Sequence, residues 1–135
     1  MRKLDTILLV DDDETTNFFH KFILENEEIA SNILEARNGE EALALLSDPG
    51  RRQEIDLIFL DVNMPIMNGF EFLESWEQLP NEQRGTFPIL MLTTSSHFAD
   101  KERAETFMTL SGYYNKPLTK EVLQKICLEH FNEAS

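Results

Sequence analysis

Four short stretches carry side chains that could do chemistry together. "ILLVDDDE" ends in three consecutive aspartates, Asp11, Asp12 and Asp13, followed by Glu14. "IFLDVNMPIMNG" carries Asp61, "ILMLTTSS" carries Thr93, and "GYYNKPL" carries Lys116. Adjacent carboxylates repel one another, so a group as dense as the first calls for a cation among them. Gathered in one place, the set is a phosphoryl-transfer toolkit. Carboxylates hold Mg²⁺, which takes oxygen ligands in octahedral geometry and keeps several waters. A further carboxylate can attack phosphorus, while a hydroxyl and an ammonium neutralise charge spreading over the phosphoryl oxygens. Each residue alone has a plainer role. An aspartate after a strand is most often the N-cap of the next helix, "TTSS" reads as a turn and cap, and Lys116-Pro117 reads as a solvated turn. The right types in the right order at four strand ends exceed what capping preferences supply.

The elements that must position these residues are legible as alternation. Short apolar runs occupy residues 6–10, 32–36, 57–60, 89–92 and, weakly, 112–115. Segments of helical periodicity lie between and after them. In the first, Phe18, Phe19, Phe22 and Ile23 recur at helical spacing with Asn26 as the one polar member. A second spans 40–47, with Ala42, Leu43 and Leu46 on one face, after an Asn38-Gly39 turn. A third carries Phe72, Leu73, Trp76 and Leu79; a fourth runs over about 99–110; the last spans 119–131 with Val122, Leu123, Ile126 and Cys127 inward. Thr119 and Glu121 suit the cap and first turn of that last helix. Five strands alternating with five helices predict an α/β fold with a parallel sheet covered on both faces. In such sheets ligands bind beyond the C-terminal strand ends, where strand order switches. The second strand ends in Arg37-Asn38-Gly39, which reads as a turn and nothing more.

The chain has 135 residues, of which 41% are hydrophobic, enough for a single domain with a true core. Its formal charge of −13 repels nucleic-acid phosphates and anionic membrane, so direct nucleic-acid binding is not expected. No apolar run approaches the ~20 residues of a membrane span. Asp5 interrupts the N-terminal apolar run, which ends in acids rather than at a signal-peptide cleavage site. Cys127 is the only cysteine, which fits a reducing, cytoplasmic setting. His20, His97 and His130 stand isolated and are given no metal.

At these residues the chain resembles the response-regulator receiver domains of two-component signalling, from about residue 4 to 131. The most specific stretch is "DVNMPIMNG", with "LLVDDD", "LTTSS" and "YYNKPL" in order around it. The resemblance implies a flavodoxin-like (βα)5 fold, with five parallel strands in order 2-1-3-4-5 and helices on both faces. It implies one receiver domain over 1–135, with no effector domain, acting through protein contacts. By position, Asp61 would be the phosphoacceptor, and Asp11 and Asp12 the acidic pair. Asp12 would touch Mg²⁺ directly, Asp11 through a water, and the Asn63 backbone carbonyl would complete the shell; Mn²⁺ could substitute. Thr93 would bond a phosphoryl oxygen, and Lys116 would pair with the phosphoryl group. Thr93 and Tyr113 would form the switch, moving the surface of the fourth helix, fifth strand and fifth helix. Asn63 and Ser95, both small and polar, occupy the positions that tune phosphoryl lifetime, and imply autodephosphorylation of intermediate speed. The implied partners are a sensor histidine kinase or histidine phosphotransfer protein and a downstream protein. The expected form is a monomer or a phosphorylation-dependent dimer, a signalling phosphoacceptor rather than a turnover enzyme. Departures from the family pattern are Asp13 and Glu14, which read as solvated or helix-capping, Leu118, and a long polar connection at 77–86.

Two other readings compete. "ILLVDDDET" also fits the D-x-D-x-T motif of haloacid-dehalogenase-type phosphatases, with Asp11 as nucleophile and Asp13 as general acid and base. That family needs an acidic pair at a strand end after the lysine, and it leaves Asp61 without a role. A degenerate receiver acting only as a binding module is disfavoured because the acceptor, the acidic pair and the lysine are all present.

Overall fold

Alternate residues of the central strands go to opposite sides of one sheet, which is why their sequences are apolar almost without interruption. The computed structural model describes residues 3–94 and 97–131. Its sheet contains β1 (Leu4–Val10), β2 (Ala30–Ala36), β3 (Ile55–Leu60), β4 (Ile89–Thr93) and β5 (Leu110–Asn115). All neighbours pair in parallel, in the order β2-β1-β3-β4-β5. Leu8, Val10, Ile58, Leu60, Ile89 and Met91 pack on one face with Phe72, Leu73 and Trp76. Ile7, Leu9, Leu57, Phe59, Leu90 and Leu92 pack on the other with Leu24, Leu123 and Ile126. Each such side chain contributes about 1.5–3 kcal/mol on burial, so both layers are held firmly to the sheet.

The helices are α1 (Glu14–Asn26), α2 (Gly39–Leu46), α3 (Pro49–Glu54), α4 (Gly69–Gln78), α5 (Phe98–Ala104) and α6 (Lys120–His130). α3 is additional to the five that periodicity predicts. It is a single short turn and a half, started by the Asp48 side chain accepting from the Gly50 N–H with Pro49 in the first turn, too short to show a repeating apolar face. α5 stops at Ala104, and Leu110, expected in that helix, begins β5. Asn38 does more than turn the chain: its side chain caps α2 by accepting from the Glu41 N–H. The polar connection after α4 is partly ordered as a 3-10 turn, Asn81–Gln83. Trp76 is buried as expected, stacked on Phe72 and tilted against Phe87, whereas Cys127 is only half-buried.

α1 corrects the sequence reading most. The helical spacing of its phenylalanines does not mark the buried face: Phe18, Phe19 and Phe22 are 75%, 43% and 59% exposed. The buried residues are Asn17, His20 and Leu24. Their i, i+3, i+7 spacing is equally helical. The polar pair is tolerated inside because the amide and imidazole find backbone partners there.

Candidate acidic site at the strand ends

The C-terminal ends of β1, β3, β4 and β5 bring Asp11, Asp61, Thr93 and Lys116 to one rim, as the spacing predicts. Asp11 and Asp61 are anchored as continuations of their strands, the Asp11 N–H donating to the Ala36 carbonyl at 3.0 Å and the Asp61 N–H to the Val10 carbonyl at 2.9 Å. Both are buried, while Asp12 is exposed at the edge. Carboxylate oxygens of Asp11, Asp12 and Asp61 lie within 4.8 Å of one another. The Lys116 ammonium reaches in from β5, 2.5 Å from Asp11 Oδ2 and 3.4 Å from Asp61 Oδ1. Its own backbone N–H donates to the Thr93 carbonyl at 2.8 Å, which ties the β4 and β5 ends together.

Asp61 is held where ionisation is costly. Burial first, and then the charge of Asp11, push its carboxyl up to about 6 against the opposing pull of Lys116. When all are ionised, the three carboxylates outnumber the one ammonium, leaving an excess of negative charge. The donor set is all carboxylate oxygen, which suits a hard divalent cation such as Mg²⁺. Such a cation would relieve the repulsion that raises Asp61.

The loop after Asp61 is tightly wound. A Cβ at position 69 would overlap the Asp61 carbonyl oxygen, so glycine is required there. The Gly69 N–H donates to the Val62 carbonyl at 2.9 Å, and Asn68 opens α4 with a reciprocal capping box with Glu71. Between them the Met67 N–H donates to the Pro65 carbonyl at 2.7 Å. This is a γ-turn centred on Ile66, whose φ is 69°. A β-branched residue in the left-handed region is strained, at a cost of order 1–3 kcal/mol, and Ile66 is also exposed.

Asn63 lies exposed in this loop, two residues past Asp61. Thr93 is fully buried at the end of β4. Register pairs Met91 with Tyr113 and Thr93 with Asn115, so Thr93 and Tyr113 are diagonal neighbours on one face of the sheet. Tyr113 packs against the α2–α4–α5 side. Because α3 is inserted, the face expected from the fourth helix, fifth strand and fifth helix is here α5, β5 and α6. Ser95 lies outside the described residues. Asp13 is the N-cap of α1, accepting from the Thr15 N–H and the Thr16 hydroxyl. That hydroxyl pulls its carboxyl below the usual carboxylate range, the opposite of what a general acid needs.

Two residues of the site escaped sequence reading. Asn17 Nδ2 donates to the Asp11 carbonyl at 2.9 Å, and the Leu118 N–H donates to His20 Nε2 at 3.3 Å. The signal available was two polar residues one turn apart with Leu24 a turn further on, masked by the brighter phenylalanine pattern beside it.

A doubly wound α/β sheet with a carboxylate cluster and a lysine beyond its strand ends carries these groups where such folds bind their ligands. The sequence model of the response regulator receiver domain matches residues 7–127, and the chain belongs to that family, the receiver domains of two-component systems. It is 38% identical over 98 residues to the transcriptional regulatory protein CpxR of Klebsiella pneumoniae, covering 73% of this chain and 37% of that protein. It is 30% identical over 121 residues to the autoinducer 1 sensor kinase/phosphatase LuxN of Vibrio campbellii, covering 90% of this chain and 13% of that protein. The chain thus spans a minor part of the length of these relatives. A two-component response regulator from Cytophaga hutchinsonii has the same fold, with a TM-score of 0.86, 28% identity, and coverage of 98% of this chain and 100% of that one.

Proposed function

We propose that the chain is a signalling phosphoacceptor, taking a phosphoryl group onto Asp61 from a phosphohistidine of a partner protein. The observation that carries this reading is the setting of Asp61: a buried carboxylate held up to about 6, against a lysine and two further aspartates. An Asp61 oxygen attacks phosphorus in line; the new O–P bond forms as the P–N bond to the donor imidazole breaks, and the imidazole leaves with the electron pair. Lys116 pairs with the phosphoryl oxygens, and the Thr93 hydroxyl bonds one of them. Asp11, Asp12, Asp61 and the Asn63 carbonyl would hold Mg²⁺, or Mn²⁺ in its place, which when bound offsets charge developing on those oxygens. Water later cleaves the acyl phosphate at phosphorus, releasing inorganic phosphate and restoring the carboxylate. Asn63 and Ser95 are small enough to admit that water at an intermediate rate. The chain therefore acts as a self-resetting switch rather than a turnover enzyme.

Output follows from Thr93 turning toward the phosphoryl group and Tyr113 following it, which alters the α5–β5–α6 face for a protein partner. A Tyr113 ring with the same rotamer in the presence and absence of beryllofluoride would remove that coupling. The donor is a sensor histidine kinase or a histidine phosphotransfer protein. Among the described residues no helix is long and apolar enough to cross a membrane, and we place the protein's work in the cytoplasm. The test of the acceptor is direct. Incubation with Mg²⁺ and acetyl phosphate adds one phosphoryl group, read as a mass increase, and Asp61→Asn abolishes it. Labelling that survives Asp61→Asn but is lost in Asp11→Asn would overturn the reading in favour of a phosphatase-type nucleophile at Asp11.

A further inference from the structure

α1 turns a polar face toward the sheet at the point where the acidic site begins. Asn17 and His20 stand one turn apart, so both project from the same side of the helix, and each is 3% exposed. Asn17 Nδ2 donates to the Asp11 carbonyl at 2.9 Å, and His20 Nε2 accepts from the Leu118 N–H at 3.3 Å. One bond therefore fixes the end of β1, and the other fixes the backbone two residues beyond Lys116. With Asp11, Asp61 and Leu92 the two side chains line a void of about 10 Å³.

We propose that Asn17 and His20 are positioning residues, which clamp the β1 end and the loop after β5 to α1 and so set the Lys116–Asp11–Asp61 geometry. The inference rests on the phosphoacceptor reading for the reaction they serve. An apolar pair would suit the helix–sheet contact better if packing were the only demand, since a buried amide or imidazole is costly unless bonded. Asn17 Oδ1 is in fact buried without a protein partner, so what this amide supplies is its bond to the Asp11 carbonyl. His20 supplies a bare Nε2, which requires a neutral ring with its proton on Nδ1. Burial, and then the nearby Lys116 charge, hold its pKa down to about 4, so the ring is neutral at pH 7. Both bonds end on backbone atoms, and this is how they act on Lys116 without touching the reacting groups. The ammonium sits 2.5 Å from Asp11 and 3.4 Å from Asp61, distances that depend on two loops from opposite ends of the chain keeping a constant separation.

The experiment measures the rate of Mg²⁺-dependent labelling by acetyl phosphate in the full chain. His20→Leu and Asn17→Leu are each expected to slow it roughly 10- to 100-fold, the range for groups that orient the residues of a metal site. His20→Gln, whose Oε1 can accept from the Leu118 N–H, recovers most of the rate. In a Lys116→Met background, His20→Leu costs nothing further, because the residue through which it acts is gone. Histidine nitrogen spectra of the unaltered protein provide a reading that does not depend on folding of a variant, and are expected to show His20 unprotonated at Nε2. The proposal is overturned by wild-type labelling in His20→Leu, by an equal loss in the Lys116→Met background, or by a protonated Nε2. An unaltered protein that takes no phosphoryl group removes the phosphoacceptor reading itself, and the clamp's role with it.

Discussion

Asp61 and His20 line the same small void and titrate in the same pH range with opposite effects on stability. Asp61 ionises near 3.8 in an unfolded chain but only at about 6 in the fold, against Asp11 and Lys116. The folded state holds the extra proton across that window, so stability falls as pH rises from about 4 to 6. His20 gains its proton near 6.5 when unfolded but only at about 4 when folded, facing Lys116 and Asp11. Its contribution is lost in the other direction, as pH falls from 6.5 toward 4. The two slopes offset each other in the metal-free protein, so the native chain is expected to show a nearly level stability profile over this range. Asp61→Asn removes one slope. Urea unfolding in the presence of a chelator should then show stability rising from pH 4 to 6.5, with a gain at pH 7 on the order of 2 kcal/mol, the worth of such a shift after discounting for solvent at the rim. His20→Gln should produce the mirror profile, falling as pH rises. A level profile in both variants would show that neither group is shifted as described.

The helices show what the sequence could and could not disclose. The central strands β1, β3 and β4 were legible because strands buried on both faces demand nearly unbroken apolar runs, and those runs stop where Asp11, Asp61 and Thr93 begin; β5, at the sheet edge, is half-polar and was only weakly marked ahead of Lys116. For Asp13, read as solvated or helix-capping, the structure selects the cap. α1 was not, because two helical stripes overlap in it and periodicity cannot rank them. Only the partners brought by β1 and by the loop after β5, far apart in sequence, decide that Asn17 and His20 go inside. That choice leaves Phe18, Phe19 and Phe22 outside, with Phe19 bordering a groove shared with Lys116 and Pro117. Exposed aromatic side chains on one helix are the kind of surface on which a protein partner docks, and under the phosphoacceptor reading proposed above that partner is the phosphoryl donor. Phe18→Ser combined with Phe22→Ser should therefore slow phosphotransfer from a protein donor several-fold while leaving labelling by acetyl phosphate and the unfolding midpoint nearly unchanged. An equal loss with both donors would place the effect in the site rather than in docking.

At the scale of the whole molecule, the sheet separates two cores, and the only tryptophan belongs to the one opposite α1. Trp76 is 1% exposed, stacked on Phe72 at 5.9 Å and against Phe87 at 5.8 Å. The indole sits two helical turns below the start of α4, away from the carboxylates and from the α1 clamp. This gives the protein an intrinsic optical label with a defined field of view. Its emission should be that of a ring shielded from water, should shift to longer wavelength in step with loss of helical ellipticity on unfolding, and should barely respond to Mg²⁺ or beryllofluoride. A large response to either would mean that the α2–α4 core rearranges with the site. With the expected silence, tryptophan fluorescence becomes a clean thermometer of the folded state, and the signalling event has to be watched by a probe nearer the strand ends.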